Sequence, residues 1–357
     1  MNNVLLPSHL RTGSLPLKTA NSTIKALLLQ DYGKTGRLSF ENIPRPGIRD
    51  DEVLVKVYAV GLNPIDNMIP KGTFKPILRF TLPAVIGSDL AGVVENIGKN
   101  VTRFRPGDAV FASVFDMDRG ALSEYVAVPE SAAALKPMSL SFTQAASLPM
   151  VALTSWQAFE HAKLKPGQKV FIPAGSGGIG TFAIQLAKYL GASVTTTTSA
   201  ANTGLVTSLG ADHVIDYRRQ NVEQAPADCD LVLGTVRGDS LEKCLEILKP
   251  HGEIVSLIGP PDLAFARKRG MNIVMKAVFW LLSRKIISRA ADRQVNYSFF
   301  FVRPDGSQLT KIATLIDAGK LKPVIDRTFP FDDSLSALAY LANGHAKGKV
   351  VVQIVES

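Results

Sequence analysis

The chain has 357 residues, is 46% hydrophobic, and carries 40 Lys and Arg against 31 Asp and Glu, a formal net charge of +9. That length and apolar content suffice for a large buried core and exclude a disordered or fibrous protein. The positive excess is mostly dispersed, not packed into clusters interleaved with aromatics, which argues against a nucleic-acid partner. Lys276, Arg284 and Lys285 break the most apolar region, so no stretch reaches the ~18 apolar residues of a spanning helix.

In chain order, the first 22 residues hold Arg11, Lys18 and several Ser and Thr without an acid, but no apolar h-region. Residues 1–23 faintly resemble a transit peptide, and are read first as a disordered tail or remnant before the fold. From Ile24 to about Met150, short alternating segments separated by Pro and Gly joints predict a β-rich, barrel-like domain: Lys25–Gln30, Glu52–Val60, Leu90–Ile97, Ala109–Val114 and Leu122–Val128. From residue 151 to 303 the rhythm becomes strand, helix, strand, helix, which predicts a parallel sheet with helices on its faces. Helix Leu241–Leu248 and strand Glu253–Ile258 belong to that series. After Pro304 the pattern is helix, short strand, helix Ser334–Asn343 and closing strand Lys349–Ile354. Cys229 and Cys244, the only cysteines, show neither metal-type nor disulfide-type spacing. They suit a reducing compartment, and a cytoplasmic location is expected.

The strongest local signal is Gly175-Ser176-Gly177-Gly178-Ile179-Gly180, a G-x-G-x-x-G loop directly after the apolar strand Lys169–Ala174 and before a helix. Such a loop brings backbone close to a pyrophosphate and offers it the free N–H groups of a helix N-terminus. The context makes residues 151–303 a Rossmann-type dinucleotide-binding domain. An NAD-type site ends its second strand on an acid that holds the adenosine ribose. Here that strand runs Thr195 to Thr198 into Ser199, Ala200, Ala201 and Asn202, with Tyr217 and Arg218 ending the next strand. Hydroxyls and an amide can donate to a 2′-phosphate that a carboxylate would repel, so NADPH is the predicted cofactor. A buried β-branched strand also explains the threonines, although not the missing acid.

Further segments resemble one family along nearly the whole chain. They are Gly61-Leu-Asn-Pro-Ile-Asp66, Gly87-Ser-Asp-Leu-Ala-Gly92, Phe104-Arg-Pro-Gly-Asp-Ala-Val110, Leu148-Pro-Met-Val-Ala-Leu-Thr154-Ser-Trp156, Leu209-Gly-Ala-Asp-His-Val-Ile-Asp-Tyr217 and Gly344-His-Ala-Lys-Gly-Lys-Val350. Together with the glycine loop they resemble the zinc-independent quinone oxidoreductase branch of the medium-chain dehydrogenase/reductase superfamily. The resemblance implies an α/β fold in which residues 24–150 and 304–357 form a GroES-like catalytic domain around an inserted, doubly wound Rossmann domain. By position, Ser176, Gly177, Gly178 and Ile179 resemble the pyrophosphate turn, and Ser199, Asn202 and Tyr217 the contacts to the adenosine 2′-phosphate. Relatives often carry lysine where Asn202 stands. His345, Ala346 and Lys347 resemble the tail that crosses the cofactor, and Thr154 the hydroxyl near its nicotinamide. A homodimer through the Rossmann-sheet edges would match the family.

Zinc-dependent relatives place a cysteine near Asn63 and a histidine near Ser88, so no metal is expected here. Without zinc, hydride transfer needs a substrate that is already electrophilic, a quinone or an α,β-unsaturated carbonyl. Asn63 and Asp66 resemble the family's Asn-x-x-Asp pair facing the cleft. In one reading Asn63 donates to the substrate carbonyl or a water while Asp66 orients the loop; in the other both cap turns around Pro64. Related enoyl-thioester reductases carry a proton-donating tyrosine where this chain has Phe74, which leaves water as the proton source.

One segment, at about 262–293, adds an apolar run flanked by cations. It suits a helix at a subunit interface, a lid over a lipophilic pocket, or a membrane-surface element without stable insertion. An NADPH-dependent oxidoreductase is the leading function. Because some superfamily members are lens crystallins or bind RNA, a cofactor-binding protein with a structural, RNA-binding or membrane-peripheral role is the alternative.

Overall fold

The computed structural model describes residues 22–355 except 34–35, 79, 223–227 and 237; residues 1–21, most of the segment read as a tail, lie outside the described residues. The β-rich part comprises β1 (Thr23–Leu29), β2 (Leu38–Pro44), β3 (Glu52–Leu62), helix α1 (Pro64–Met68), β4 (Ala84–Val85), β5 (Asp89–Ile97), β6 (Ala109–Ser113), β7 (Tyr125–Pro129) and β8 (Ala133–Leu135). Helices α2 (Phe142–Ala146) and α3 (Pro149–His161) lead out of it. The centre of this region is β3, which pairs antiparallel with β5 and β7. Its sequence is almost continuously apolar because both faces are covered. Val53, Val55 and Val57 fill one core, whereas Ala59 enters the core shared with the second sheet.

That second sheet consists of β9 (Lys169–Ile172), α4 (Gly178–Tyr189), β10 (Ser193–Thr198), α5 (Thr203–Ser208), β11 (His213–Asp216), β12 (Cys229–Gly234), α6 (Asp239–Lys243) and β13 (Leu248–Ser256). Helices α7 (Leu263–Lys268) and α8 (Ile273–Asp292) then precede β14 (Asn296–Phe299). All its pairings are parallel, in the order β11-β10-β9-β12-β13-β14. This is the doubly wound order, with its ligand crevice at the carboxyl ends of β9 and β12 where winding reverses. The expected α/β class is therefore the observed one. After α9 (Gly306–Asp317), β15 (Ile325–Pro330) and α10 (Ser334–Ala342), the closing strand β16 (Lys349–Gln353) returns to pair antiparallel with β3. Its side chains alternate between cores, Val351 toward one and Val350 and Val352 toward the other.

Two details depart from the local reading. The helix predicted over 241–248 ends at Lys243, and β13 starts at Leu248. Pro250 cannot continue a helix, and His251 turns the chain at φ +67°. Strand β2 escapes pattern reading because its residues are mostly exposed or half-buried and show no alternation. Between the domains lies α3, apolar on nearly every side, which packs on α4 and α9 and joins the two sheets through one core.

The glycine loop is held by close approach. A Cβ on Gly180 would stand 2.5 Å from Ala174 O and 2.6 Å from Gly175 Cα, and the one left-handed residue of the turn is Ala174, at φ +53°. Gly180→Ala is expected to destabilise the protein by about 1–3 kcal/mol, as overpacking does. At Gly204, also helical, an added Cβ would meet nothing within 4 Å, so Gly204→Ala should gain stability by ~0.5–1 kcal/mol. Denaturation midpoints of the two variants, moving in opposite directions, check this.

Candidate active site

Two hollows meet at the glycine loop. The first, about 670 Å³, runs past Ser176, Gly177, Ser199, Asn202 and Tyr217 and under His345, Ala346 and Lys347. The second, about 320 Å³, continues from Gly177, Gly178 and Ile179 to Thr154 and Asn63. Gly177 and Ala346 border both. The tail is drawn over the loop by Gly348 N, which donates to Ser176 O at 2.9 Å. Every residue expected to hold the cofactor therefore lines one continuous cleft, with the N-terminus of α4 at its middle.

The threonine run turns out to build the loop. Thr196 Oγ1 donates to Ile172 O at 2.6 Å, Thr197 Oγ1 accepts from Ala174 N at 3.0 Å, and Thr198 Oγ1 donates to Ser176 Oγ at 2.9 Å. Asn202 Nδ2 donates to the same serine oxygen at 3.2 Å. These threonines are buried, whereas Tyr217 is 55% exposed on the rim, with Arg218 lying over its ring. No carboxylate borders this first hollow among the described residues.

A buried charge cluster forms the floor of the second hollow. Lys349, at the start of β16, donates from Nζ to Leu62 O at 2.7 Å and Asn63 Oδ1 at 2.5 Å, with Asp89 Oδ2 at 3.8 Å. Asn63 Nδ2 donates to Asp89 Oδ2 at 2.9 Å and Gly61 O at 3.3 Å. Asp89 Oδ2 also accepts from Met150 N at 3.0 Å, satisfying a free amide in the first turn of α3. Asp66 is fully buried behind this layer, accepting from Asn63 N and Ser88 Oγ, each at 2.7 Å. Phe74, Phe115 and Phe301 form an apolar wall opposite.

Comparison with known proteins agrees with this arrangement. Residues 49–138 match the alcohol dehydrogenase GroES-like domain, and residues 209–352 the zinc-binding dehydrogenase family. The chain is 37% identical to a mitochondrial NAD(P)H oxidoreductase of Mus musculus, over 94% of this chain and 91% of that one. It is 36% identical to a chloroplastic NADPH-dependent alkenal/one oxidoreductase of Arabidopsis thaliana, over 94% and 81%. A solved quinone oxidoreductase from Coxiella burnetii superposes with a TM-score of 0.80 at 30% identity, covering 94% of this chain and all of that one. The chain belongs to the quinone oxidoreductase branch of the medium-chain dehydrogenase/reductase superfamily. It is a nicotinamide-dependent oxidoreductase.

For this oxidoreductase the cytoplasmic location expected from its cysteines is corrected by its relatives, one mitochondrial and one chloroplastic. Burial pushes the thiols of Cys229 and Cys244 up to about 11 and about 12, so they are inert in any reducing compartment and distinguish none of them.

Of the two readings of Asn63 and Asp66, the geometry favours capping: Asn63 is the N-cap of α1 and its N–H donates to Asp66. Both of its amide hydrogens go to Asp89 and Gly61, and its oxygen is taken by Lys349, so no donor is left for a substrate carbonyl. Asp66 does not line the cleft; it accepts from Asn63 N, which does, and from Ser88 Oγ behind it. Beside Asn63, Thr154 and Thr235, the cleft is also lined by Lys349, which pattern reading passed over because its motif, Gly348-Lys349-Val350, looks like the ordinary start of a strand. The one available signal was a lysine opening an otherwise apolar strand.

Burial pushes the Asp66 carboxyl up to about 7; hydrogen bonds from Ser88 and Asn63 oppose this, the Asp89 charge adds to it and Lys349 subtracts from it. Burial likewise raises Asp89, against Lys349, and lowers Lys349, against both carboxylates. When the pH rises through 7 and Asp66 ionises, negative charge accumulates beneath a site whose chemistry itself develops negative charge. The value of kcat/KM should therefore fall across an apparent pKa near 7, and Asp66→Asn should flatten that limb. A pH profile in which both proteins show the same limb would assign it elsewhere.

Proposed function

We propose that this oxidoreductase uses NADPH to reduce quinones or the activated C=C of α,β-unsaturated carbonyls, without zinc. The observation that carries the reading is the pairing of an acid-free first hollow with an apolar second hollow that lies over the buried Lys349–Asp89 pair. The chain's groups fit the cofactor. The first-turn amides of Gly178 and Ile179 face the pyrophosphate position, and Gly178 leaves a space that a Cβ would close, 3.1 Å from Lys349 Cδ. Ser199, Asn202, Tyr217 and Arg218 surround the place of a 2′-phosphate, and Thr154 offers a hydroxyl at the other end. Bound NADPH supplies the hydride, and the protein supplies orientation and field. Phe74, Phe115 and Phe301 hold a flat apolar substrate and keep water scarce. Lys349, whose donors go to Leu62 O, Asn63 Oδ1 and Asp89, acts on charge developing on a substrate oxygen through its field and not through a hydrogen bond, and the proton comes from water.

Asn63 and Ser88 occupy the places of zinc ligands in zinc-dependent relatives, and both side chains are engaged by Asp89, Lys349 and Asp66. Among the described residues no group of three His, Cys, Asp or Glu side chains converges on a metal site. Elemental analysis is expected to find less than stoichiometric zinc, with activity unchanged by chelators. A homodimer through the outer edge of β14 is part of the proposal, since the sheet ends on that strand.

The function is tested by following NADPH absorbance with a quinone, a short alkenal, a longer enone and a simple ketone. The first three should turn over and the ketone should not; equal reduction of the ketone would overturn the reading. Cofactor preference is tested at Tyr217. A hydrogen bond to a charged group contributes ~1.5–3 kcal/mol, and half-exposure favours the low end. Tyr217→Phe should weaken NADPH binding by about tenfold and leave NADH binding unchanged in titration calorimetry. Equal losses for both cofactors would mean that Tyr217 acts through packing.

A further inference from the structure

Helix α8 keeps one face in the core and leaves an apolar face uncovered. Phe279, Ser283, Ile286 and Ala290 are buried at helical spacing, while Ile273, Val274, Trp280, Leu281 and Leu282 are 53–77% exposed. Soluble surfaces seldom leave so many large apolar side chains together without a partner. The exposed face is graded along the axis. One row runs Ile273, Ala277, Trp280, Arg284 and the next Val274, Val278, Leu281, Lys285, so each is apolar for two turns and then cationic.

Charge points the same way. Between Leu263 and Ala291 there are seven Lys or Arg and no Asp or Glu. Arg269 pairs with Asp116, and Lys285 and Arg289 with Glu242. Arg267, Lys268, Lys276 and Arg284 have no acidic partner among the described residues. A two-fold contact between copies through this face would set those unpaired cations against their own kind, whereas an anionic bilayer surface neutralises them and takes up the apolar residues. No helix among the described residues is long and apolar enough to cross a membrane, so the helix would lie in the interface.

We propose that α7 and α8 form a docking surface for anionic lipid membranes. Trp280, Leu281 and Ile273 enter the acyl boundary, and Lys276, Arg284, Arg267 and Lys268 face the headgroups. The surface is firmly built. Asp262 caps α7 through Phe265 N at 2.7 Å and accepts from Phe299 N at 3.0 Å, and Arg269 ties α7 to Ile77 O at 3.0 Å. The Phe265 ring lies tilted against Phe301, centroids 5.7 Å apart, and Phe301 is a wall of the second hollow, so the docked face adjoins the cleft.

The test is co-sedimentation of the full chain with vesicles of pure phosphatidylcholine and of equal parts phosphatidylcholine and phosphatidylglycerol. Binding should favour the anionic vesicles and weaken with salt. In Trp156→Phe, which leaves Trp280 as the only tryptophan, emission should shift to the blue on binding. Lys276→Gln with Arg284→Gln should reduce vesicle affinity by about tenfold, and Trp280→Gln with Leu281→Gln by at least as much, while NADPH-dependent turnover of a soluble substrate is retained. Absence of binding to anionic vesicles, or variants that bind like the parent, would overturn the proposal. So would a parent that ignores vesicles but loses a subunit contact in Trp280→Gln, which would give the face to a second copy.

Discussion

The cleft depends on one buried ammonium. Lys349 stands where the returning tail meets the end of β3, and its three directions are occupied by Leu62 O, Asn63 Oδ1 and Asp89. One residue earlier, Gly348 binds the glycine loop through Ser176 O, with a positive φ and a Cβ position only 2.3 Å from Val324 O. Two adjacent residues thus fasten the tail to both domains. The lysine loses its ion pair and the glycine its close approach if either is replaced by an ordinary strand residue.

Stability alone does not account for such a cluster. Removing water from two carboxylates and an ammonium costs several kcal/mol per ion, and well-packed apolar residues often replace such groups without loss. The cluster sets a buried Lys349–Asp89 pair beneath an apolar chamber and holds it through Asn63. Two acids share the proximity of one base, so burial keeps the assembly short of one charge and brings Asp66 to about 7.

The adenosine side uses its polar groups differently. Threonine hydroxyls that could have met a phosphate are committed to the loop, through Ile172 O, the Ala174 amide and Ser176. Outside them the hollow is lined by Ser199, Tyr217 and Arg218, and by Asn202, which itself donates to Ser176 Oγ. The α7 and α8 segment, which sequence left open between interface, lid and membrane surface, is both anchored and uncovered. Its inner aromatic face abuts the cleft wall and its outer face meets solvent.

From sequence alone came the doubly wound class, the glycine loop with its strand and helix, the crevice residues from Ser176 to Tyr217 and the tail that crosses them. The alternation and the glycine loop follow from local period and from glycine at a turn, whereas the crossing tail was what the resemblance to the family implied. Tertiary structure decided which polar groups remain free. Asn63 bonds Lys349 across 286 positions, Asp89 across 26, and Asp89 reaches Met150 across 61; no local pattern encodes those pairings. The same holds for Asp66, whose place behind the cleft and raised pKa come from burial by distant elements. A motif states that a donor or an acid is present. Only packing determines whether it faces a ligand or is already satisfied, because a hydrogen bond used inside the fold cannot be offered again.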